Sequence, residues 1–526
     1  MFFYLHDNIL ISYAFENELL FKIIFIMKRK QFLALILIIA GVFTLLFYRN
    51  SIGINLTIFE WILIPVMLFV NKPNKLNFLS KSILVTLILS SIMVTVINTP
   101  WTIFINFILL FSFSTLLAFK GFRSYIHALG ESIVRVFTTH FSSQNYSDKN
   151  KDDIKLTNLF TKILLFGIVP LATVLIFLLM YFNASSKFAS TVEPLFNYIG
   201  RMFENLNITI VLIFILGVIV ANVLLRKSKP IGLWDMDISS KDDLERKRIR
   251  HFLTFKTTGL KTQNIMGIIT LIALNVLILI FNITDIQSVW FFEWEGDFLK
   301  EFVHQGTWIL IFAILCSSLI ALFFFKDNLN FYSKNKLIKS LTIAWIAQNI
   351  VMAISVIIRN YWYMTYFGLA YKRIAVLFFL ILAIIGLITI IIKITNKKTA
   401  FYLLKTNSFA AIIVIAISSF VDWNVVIAKY NFNNYEKSFV EYRFMANLED
   451  SALPYTIKTK EELKTIDSLQ NKALPTITSY SYFWDSEKYF EMMELKKSDF
   501  LERYQTQKPL EWNLSDYITY RKLKNK

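Results

Sequence analysis

Charged and aromatic residues crowd the stretch RNYWYMTYFGLAYKR, which runs from Arg359 to Arg373 between two long apolar runs. Together with acids and a histidine beside other apolar runs, these residues could line a pocket that binds or transforms a polar ligand. The alternative is an aromatic belt at a membrane surface with ion pairs around it. We expect Asp285 or Asp422 to pair with Arg373. This first candidate cluster comprises Asp285, His304, Arg359, Tyr363, Tyr366, Gly368, Lys372, Arg373 and Asp422.

A second set of polar side chains lies inside the apolar runs and comprises Glu60, Asn275, Gln348 and Asn349. An ionisable residue at membrane depth costs about 2.5–3.5 kcal/mol on insertion scales, so it suggests a function by default. The alternatives are that Glu60 lies close to a membrane surface and that the amides form hydrogen bonds between helices. The adjacent Gln348 and Asn349 are the better candidate site within the membrane.

Known catalytic and metal-binding motifs are missing from the sequence. It has no glycine-rich phosphate loop, no H-E-x-x-H zinc motif and no G-x-S-x-G elbow. Its single cysteine, Cys316, excludes an internal disulfide. No histidine has a second ligand at metal-binding spacing, and the five are His6, His127, His140, His251 and His304. We therefore expect no metal, no cofactor and no catalytic residue, and an enzyme is the less favoured class.

The composition places the chain among integral membrane proteins. Of its 526 residues, 56% are hydrophobic, and the mean hydropathy is +0.53. Soluble domains average roughly 45–50% apolar residues, so a soluble core could not enclose this much apolar surface. In lipid the backbone must satisfy its own hydrogen bonds, so each apolar run is predicted to be a helix. The predicted fold is an all-α, polytopic helical membrane bundle, with the lipid bilayer as its partner.

Eleven apolar runs come close to the length of about 20 residues that crosses the hydrocarbon core. The last run is interrupted by Lys405 and Asn407, so its helix is predicted to begin near Ser408. The predicted spans are residues 31–48, 52–70, 83–97, 101–119, 163–182, 208–225, 265–281, 308–325, 338–358, 374–392 and 408–420.

Basic residues fall mainly on one side of these spans. If Lys28–Lys30 lie inside, the inner loops contain 28 Lys and Arg residues and the outer loops contain 7. This bias predicts a multi-pass protein of the bacterial cytoplasmic (inner) membrane, with its N-terminus in and its C-terminal tail out. It also explains the net charge of +18 without a nucleic-acid partner. The basic inner loop 226–264 is either a positive-inside loop or a surface helix that binds anionic lipid.

Three regions are predicted along the chain. Residues 1–26 form a doubtful N-terminal extension, because MKRK before an apolar run is typical of a start. Residues 27–428 form the transmembrane domain, and residues 429–526 form a small helical extracytoplasmic region that could meet a protein partner. Its many aromatic residues argue against disorder. Helices are predicted in this tail at Tyr435–Leu448, Lys460–Lys472 and Asp485–Arg503.

Six segments carry a resemblance to a known family: Leu274–Trp290, Glu301–Ile311, Leu329–Met352, Phe367–Val376, Asp422–Phe432 and Leu448–Pro454. Together they resemble the bacterial multi-pass membrane family catalogued as domain of unknown function 4153/4173. The family signature Y-x-x-x-Y-G-L-T-x-x-R is similar to the stretch from Tyr363 to Arg373, with Phe367 inserted and Ala370 in place of threonine. The resemblance implies membership of a membrane family and no particular activity.

Two classes of function stay open on the sequence. The first is a non-enzymatic envelope scaffold, sensor or assembly factor, whose outward tail would meet a partner. The alternative is a transporter or a membrane-embedded lipid-modifying enzyme that uses a polar pocket at the outer face. A transporter would be expected to show internal repeats and interrupted helices, and the sequence shows no convincing repeat. The first class is therefore favoured.

Overall fold

The protein is described by a computed structural model whose well-placed residues fall in ten ranges. The described residues are 29–73, 75–139, 169–185, 187–194, 207–226, 230–246, 259–291, 299–325, 328–473 and 484–525. The predicted N-terminal extension 1–26 lies outside them, and so does much of the basic loop, at residues 247–258. Within these ranges the chain forms helices and no β-strand, so the predicted all-α class is confirmed.

Before the tail, the helices whose bounds lie within the described residues are labelled in chain order. They are α1 (Arg29–Phe47), α2 (Ile54–Asn71), α3 (Phe78–Val96), α4 (Pro100–Ala118), α5 (Tyr125–Thr138), α6 (Val169–Ala184), α7 (Ile208–Leu225), α8 (Leu233–Ser239), α9 (Leu260–Asp285), α10 (Leu299–Phe324), α11 (Lys336–Phe367), α12 (Tyr371–Thr395) and α13 (Ala400–Ser418). The tail forms α14 (Trp423–Asn433), α15 (Tyr442–Ala446), α16 (Leu453–Thr456), α17 (Lys460–Ala473), α18 (Ser486–Gln505) and α19 (Leu514–Lys524).

Nine helices of the described chain are long and apolar enough to cross a membrane. They are α2, α3, α4, α7, α9, α10, α11, α12 and α13. Two more predicted spans coincide with shorter helices. The predicted span 31–48 matches the apolar helix α1, and the described part of the predicted span 163–182 lies in α6. The protein is therefore a multi-pass membrane protein.

Two predicted helix ends are wrong, because polar residues that interrupt an apolar run have partners in the fold. Helix α13 begins at Ala400 and not at Ser408: the Lys405 ammonium pairs with the Asp242 carboxylate, and Asn407 Oδ1 accepts a hydrogen bond from Thr389. Helix α11 continues to Phe367, so most of the predicted loop 359–373 is helical.

The smaller of two compact units comprises residues 1–50, 65–70 and 136–229. In it, α1 packs along α7. A Cβ atom added at Gly217 would lie 3.0 Å from the Ala40 carbonyl oxygen and 3.1 Å from the Phe43 ring. Small residues at such a contact let two membrane helices approach closely.

The larger unit comprises residues 51–64, 71–135 and 230–526, and its main apolar core lies between helices α9 to α13. Leu271, Trp345 and Leu387 are buried in this core. On the outward surface the pattern is reversed, because Leu277 and Phe312 are 64% and 66% exposed. Apolar side chains that face away from the core are expected of helices surrounded by lipid.

The tail folds into a body, here called the cap, made of residues 423–473 and 484–525. Its apolar core includes Leu453, Tyr489 and Phe500 together with Leu369 and Ile374 from the α11–α12 turn. Helices α17 and α18 match two predicted segments, whereas Tyr435–Leu448 contains only the five-residue α15. We call the end of the larger unit that carries this turn the cap end.

A contact between the last and first parts of the larger unit closes the cap end. The Ile54 amide, at the start of α2, donates to the Trp512 carbonyl at 2.9 Å. A Cβ atom at Gly53 would lie 2.8 Å from the same carbonyl oxygen and would collide with that of Glu511. Only glycine allows this close approach of two backbones.

Candidate functional site

A buried ion pair joins α9 to α11 near the cap end. The Arg359 guanidinium and the Ser355 hydroxyl both donate to the Asp285 carboxylate. Asp285 is 4% exposed and Arg359 is 7% exposed. Helix α11 places both donors on one face, because residues four apart are neighbours on a helix. A carboxylate between a guanidinium and a hydroxyl forms charge-assisted hydrogen bonds, which are the stronger kind.

The helix that carries Asp285 changes from α-helical to π-helical geometry directly after this residue. Residues Ile286–Trp290 form one π-helical turn. Two tryptophans bind this turn to α11: Trp290 Nε1 donates to Ser355 Oγ at 3.3 Å, and Trp362 Nε1 donates to the Val289 carbonyl at 2.9 Å. Such π-bulges are rare and are frequent at functional sites.

The predicted partner of Arg373 was wrong. Asp285 pairs with Arg359 instead, and Asp422 caps α14 by accepting from the amides of Asn424 and Val425. The Arg373 guanidinium donates to the carbonyls of its own turn, including that of Phe367 at 2.7 Å. It also lies over the Tyr363 ring, 4.2 Å from the centroid. Arg373 therefore closes the α11–α12 turn, and no acidic side chain among the described residues pairs with it.

A single asparagine of the cap holds this turn. Asn431 Oδ1 accepts from the Leu369 amide at 2.6 Å, and its Nδ2 donates to the Leu369 carbonyl at 2.9 Å. Gly368 has φ +81°, and a Cβ atom there would lie 2.6 Å from Asn431 Oδ1. The position therefore requires glycine both for its backbone and for space.

The remaining members of the first candidate cluster are dispersed. The Tyr366 carbonyl accepts from the Phe439 amide at 3.0 Å, which is a backbone contact between α11 and the cap. Lys372 is exposed, and His304 lies in α10. The structure thus brings Asp285 to Arg359, and Gly368 with Tyr363 to Arg373, but it does not gather the nine residues into one pocket.

The predicted intramembrane amides mostly join helices. Gln348 Nε2 donates to Asn275 Oδ1 at 2.7 Å, and Asn275 Nδ2 donates to the Leu341 carbonyl at 3.0 Å. Asn282 continues this row by donating to the Gln348 carbonyl at 3.1 Å. Asn349 instead donates back along its own helix to Trp345. These contacts fit the interhelical role better than a ligand site.

Glu60 of α2 is buried and contacts α4. It is 0% exposed, and its Oε2 accepts from Asn106 Nδ2 of α4 at 3.1 Å. Its other oxygen, Oε1, has no hydrogen-bond partner among the described residues. Two of the predicted polar sites, Asp285 and Glu60, are therefore buried carboxyls within membrane helices.

A network at the end opposite the cap was not predicted. The buried Asp237 carboxylate of α8 accepts from the Arg123 and Ser124 amides at 2.7 and 2.9 Å and contacts His127 Nδ1 at 3.1 Å. These donors stand at the N-terminus of α5, where a negative charge is stabilised by the helix dipole. At least 110 residues separate the partners, so no local pattern reveals the network.

Helix α5 exposes apolar side chains and buries charged ones. Its apolar Ile133 and Phe137 are 55% and 69% exposed, while Glu131 and Arg135 are buried. Arg135 donates to the hydroxyls of Ser114 and Thr115, and burial lowers its pKa to about 10. An apolar outer face on a short amphipathic helix fits a position in the membrane interface.

A polar cavity of about 240 Å³ at the cap end was also missed. The loops before α2 and between α3 and α4 form one wall, and α18 with the segment after it forms the other. These loops come from opposite ends of the sequence, so only the fold brings them together. The lining residues are Ser51, Ile52, Ile97, Asn98, Thr99, Glu449, Asp450, Ser451, Arg503, Tyr504, Gln507, Glu511, Asn513, Ser515 and Asp516.

Comparison with known proteins gives one match. The family model described as a domain of unknown function (DUF4153) matches residues 83–459. Among curated proteins and solved structures, no match was found. The matched segment includes the Asp285–Arg359 pair, the α11–α12 turn and the Asn431 contact to that turn.

Proposed function

Because the chain belongs to the DUF4153 family, whose function is unknown, we propose from its own geometry that it is a non-enzymatic sensor. The proposed place is the bacterial cytoplasmic membrane, with the cap outside and a partner protein receiving the signal. The supporting observation is that the cap and the ends of α11 and α12 share one apolar core. A stimulus received by the cap would therefore act directly on membrane helices.

Polar contacts reinforce this apolar junction. Asn431 holds both backbone groups of Leu369, and Phe439 donates to Tyr366. Cap residue Asn424 accepts from both the Tyr371 hydroxyl at the start of α12 and the Glu449 amide within the cap. Movement of the cap would disturb several buried hydrogen bonds at the turn, each worth about 0.5–1.5 kcal/mol.

The alternative, a transporter or lipid-modifying enzyme, draws less support from the same residues. Its charged groups would need to meet a substrate in a shared pocket. Asp285 and Arg359 instead pair with each other, and Arg373 and Asp422 bind the backbone of a turn and of a helix start. Groups used in this way stabilise a fixed arrangement of helices.

The experiment tests whether cap and membrane helices respond as one body. Met493 is 2% exposed in the cap core, and the adjacent Met492 is 43% exposed. Met493→Ala removes buried apolar volume, which typically costs about 2–5 kcal/mol. We expect hydrogen exchange of the amides at 364–374 to accelerate at least about tenfold, as measured by mass spectrometry in nanodiscs.

Met492→Ala is the matched control and should leave exchange at 364–374 unchanged. If Met493→Ala accelerates exchange only beyond residue 433, the cap is an independently folded appendage. The sensor proposal is then wrong, because nothing would carry a signal from the cap to the membrane.

A further inference from the structure

The polar cavity at the cap end has a strongly acidic lining. Four carboxylates, of Glu449, Asp450, Glu511 and Asp516, face one guanidinium, of Arg503. The formal charge of the lining is therefore −3. Arg503 is already engaged, because its Nη2 lies 2.7 Å from Asp450 Oδ2. Asp450 also lies 3.8 Å from Lys496 Nζ, and Asp516 accepts from Asn513 Nδ2 at 2.9 Å. The lining still carries more negative than positive charge, so it would repel an anion and attract a cation.

Two hydrogen-bonding atoms of the lining have no partner among the described residues. They are Ser451 Oγ and Asn98 Oδ1. Ser451 is 9% exposed, and Asn98 is fixed by donating through Nδ2 to the Ile52 carbonyl at 3.0 Å. More than about 90% of buried polar groups in proteins find a partner. Two such atoms in one lining indicate that a further molecule completes them.

The chemistry of that molecule follows from what the lining provides. Carboxylates and an amide oxygen accept hydrogen bonds only, and a hydroxyl also accepts. The ligand must then be positively charged and rich in N–H donors. The carboxyl groups do not converge as a metal site, because the described residues contain no group of three metal-ligating side chains.

We propose that this cavity binds a primary ammonium group, supplied either by the ethanolamine headgroup of a lipid or by a free small amine. A cavity of about 240 Å³ has room for a small ligand such as an aminoalcohol. The loops at Ile52 and Asn98 stand where α2, α3 and α4 end, which places the cavity within reach of lipid headgroups.

Burial raises the pKa of Asp516, which is consistent with a wall shielded from water. The biological role of this ammonium site rests on the proposed sensor function, since the ammonium group would be the stimulus that the cap receives. Binding itself can be measured without that role.

The first experiment compares ethanolamine with choline on the purified full chain in detergent, by isothermal titration calorimetry. Choline has the same charge and no N–H donor, so we expect it to bind at least about tenfold more weakly. Ser451→Ala removes the unused hydroxyl, and Glu449→Gln removes one charge of the lining. Each should weaken ethanolamine binding several-fold or more, whereas Glu494→Gln, at an exposed position of α18 outside the lining, should not.

The source of the amine is tested by the melting temperature in nanodiscs. A higher value in phosphatidylethanolamine than in phosphatidylcholine, lost in Ser451→Ala, supports the lipid headgroup. Calorimetric binding of ethanolamine without this difference supports a free amine. Equal affinity for ethanolamine and choline, or equal ethanolamine affinity of wild type, Ser451→Ala and Glu449→Gln, refutes the proposal.

The two proposals fail in different ways. If ethanolamine binds but Met493→Ala leaves hydrogen exchange of the amides at 364–374 unchanged, the ammonium site is supported and the sensor role is refuted. If Met493→Ala accelerates that exchange but ethanolamine does not bind, the coupling stands and the ammonium site falls.

Discussion

Asp285 and Glu60 are both buried carboxyls in membrane helices, yet their hydrogen-bond donors differ. Asp285 receives a guanidinium and a hydroxyl from α11. Glu60 receives one amide N–H from Asn106, and its Oε1 has no partner among the described residues. One site balances a charge with an opposite charge, and the other surrounds a carboxyl with neutral groups.

This difference in partners predicts how substitution at each site should affect stability. A buried ion pair gains little overall when intact, but removing one partner leaves a charge without compensation. A carboxyl with neutral neighbours loses only a hydrogen bond when its partner is removed. The Asp285 site should therefore be sensitive to loss of charge, whereas the Glu60 site should be sensitive to shape and hydrogen bonding.

The largest effect is expected for Arg359→Ala. The substitution leaves the Asp285 carboxylate buried with the Ser355 hydroxyl as its side-chain donor, so the free energy of unfolding should fall by about 3–5 kcal/mol. Unfolding in mixed micelles with increasing SDS measures this loss.

The double variant Asp285→Leu with Arg359→Met is the control, because it removes both charges and keeps apolar volume. Its stability should return to within about 1 kcal/mol of wild type, since apolar replacement of a buried pair is often neutral. If it is as unstable as Arg359→Ala, the loss comes from other contacts of Arg359 and the charge-balance account is wrong.

An intermediate effect is expected for Asn106→Leu. It deprives Glu60 of its amide donor without changing any charge, so unfolding should become easier by about 1–3 kcal/mol. The same SDS titration applies, and Asn349→Leu, which loses a bond only within its own helix, is the comparison. A loss as large as that of Arg359→Ala would show that Glu60 behaves as an uncompensated charge.

The smallest effect is expected for Glu60→Gln. Glutamine keeps the shape and an oxygen that can accept from Asn106, so the change in unfolding free energy should stay below about 1 kcal/mol. A shift in the SDS midpoint comparable with that of Asn106→Leu would mean that the acid itself, and not its hydrogen bond, is required.

Hydropathy predicted the membrane helices well, because a span needs only length and apolar composition. It failed where a polar residue has a distant partner. Because of Lys405, the last span was predicted to begin too late, since its partner Asp242 lies 163 residues away. Arg359 ended another span too early, since Asp285 lies 74 residues away.

The candidate sites were predicted less completely for the same reason. Residue type alone selected Asp285, Arg359 and Gly368, which do meet structural partners, but it assigned Arg373 to the wrong one. The cavity near Ser451 depends on loops from both ends of the chain. Neither its acidic lining nor the capping of α5 by Asp237 has a signature in local spacing.

The contact of Ile54 with Trp512 can form only late in biosynthesis, because its two partners are far apart in the sequence. A ribosome adds about 5–20 residues per second, so roughly 20–90 s separate synthesis of the two partners. During that interval the first turn of α2 has to rely on Asn55, whose Oδ1 accepts from the Gly53 and Leu56 amides. The nascent protein therefore completes the cap end last, and a chain arrested before Trp512 would reach the membrane with this end still open.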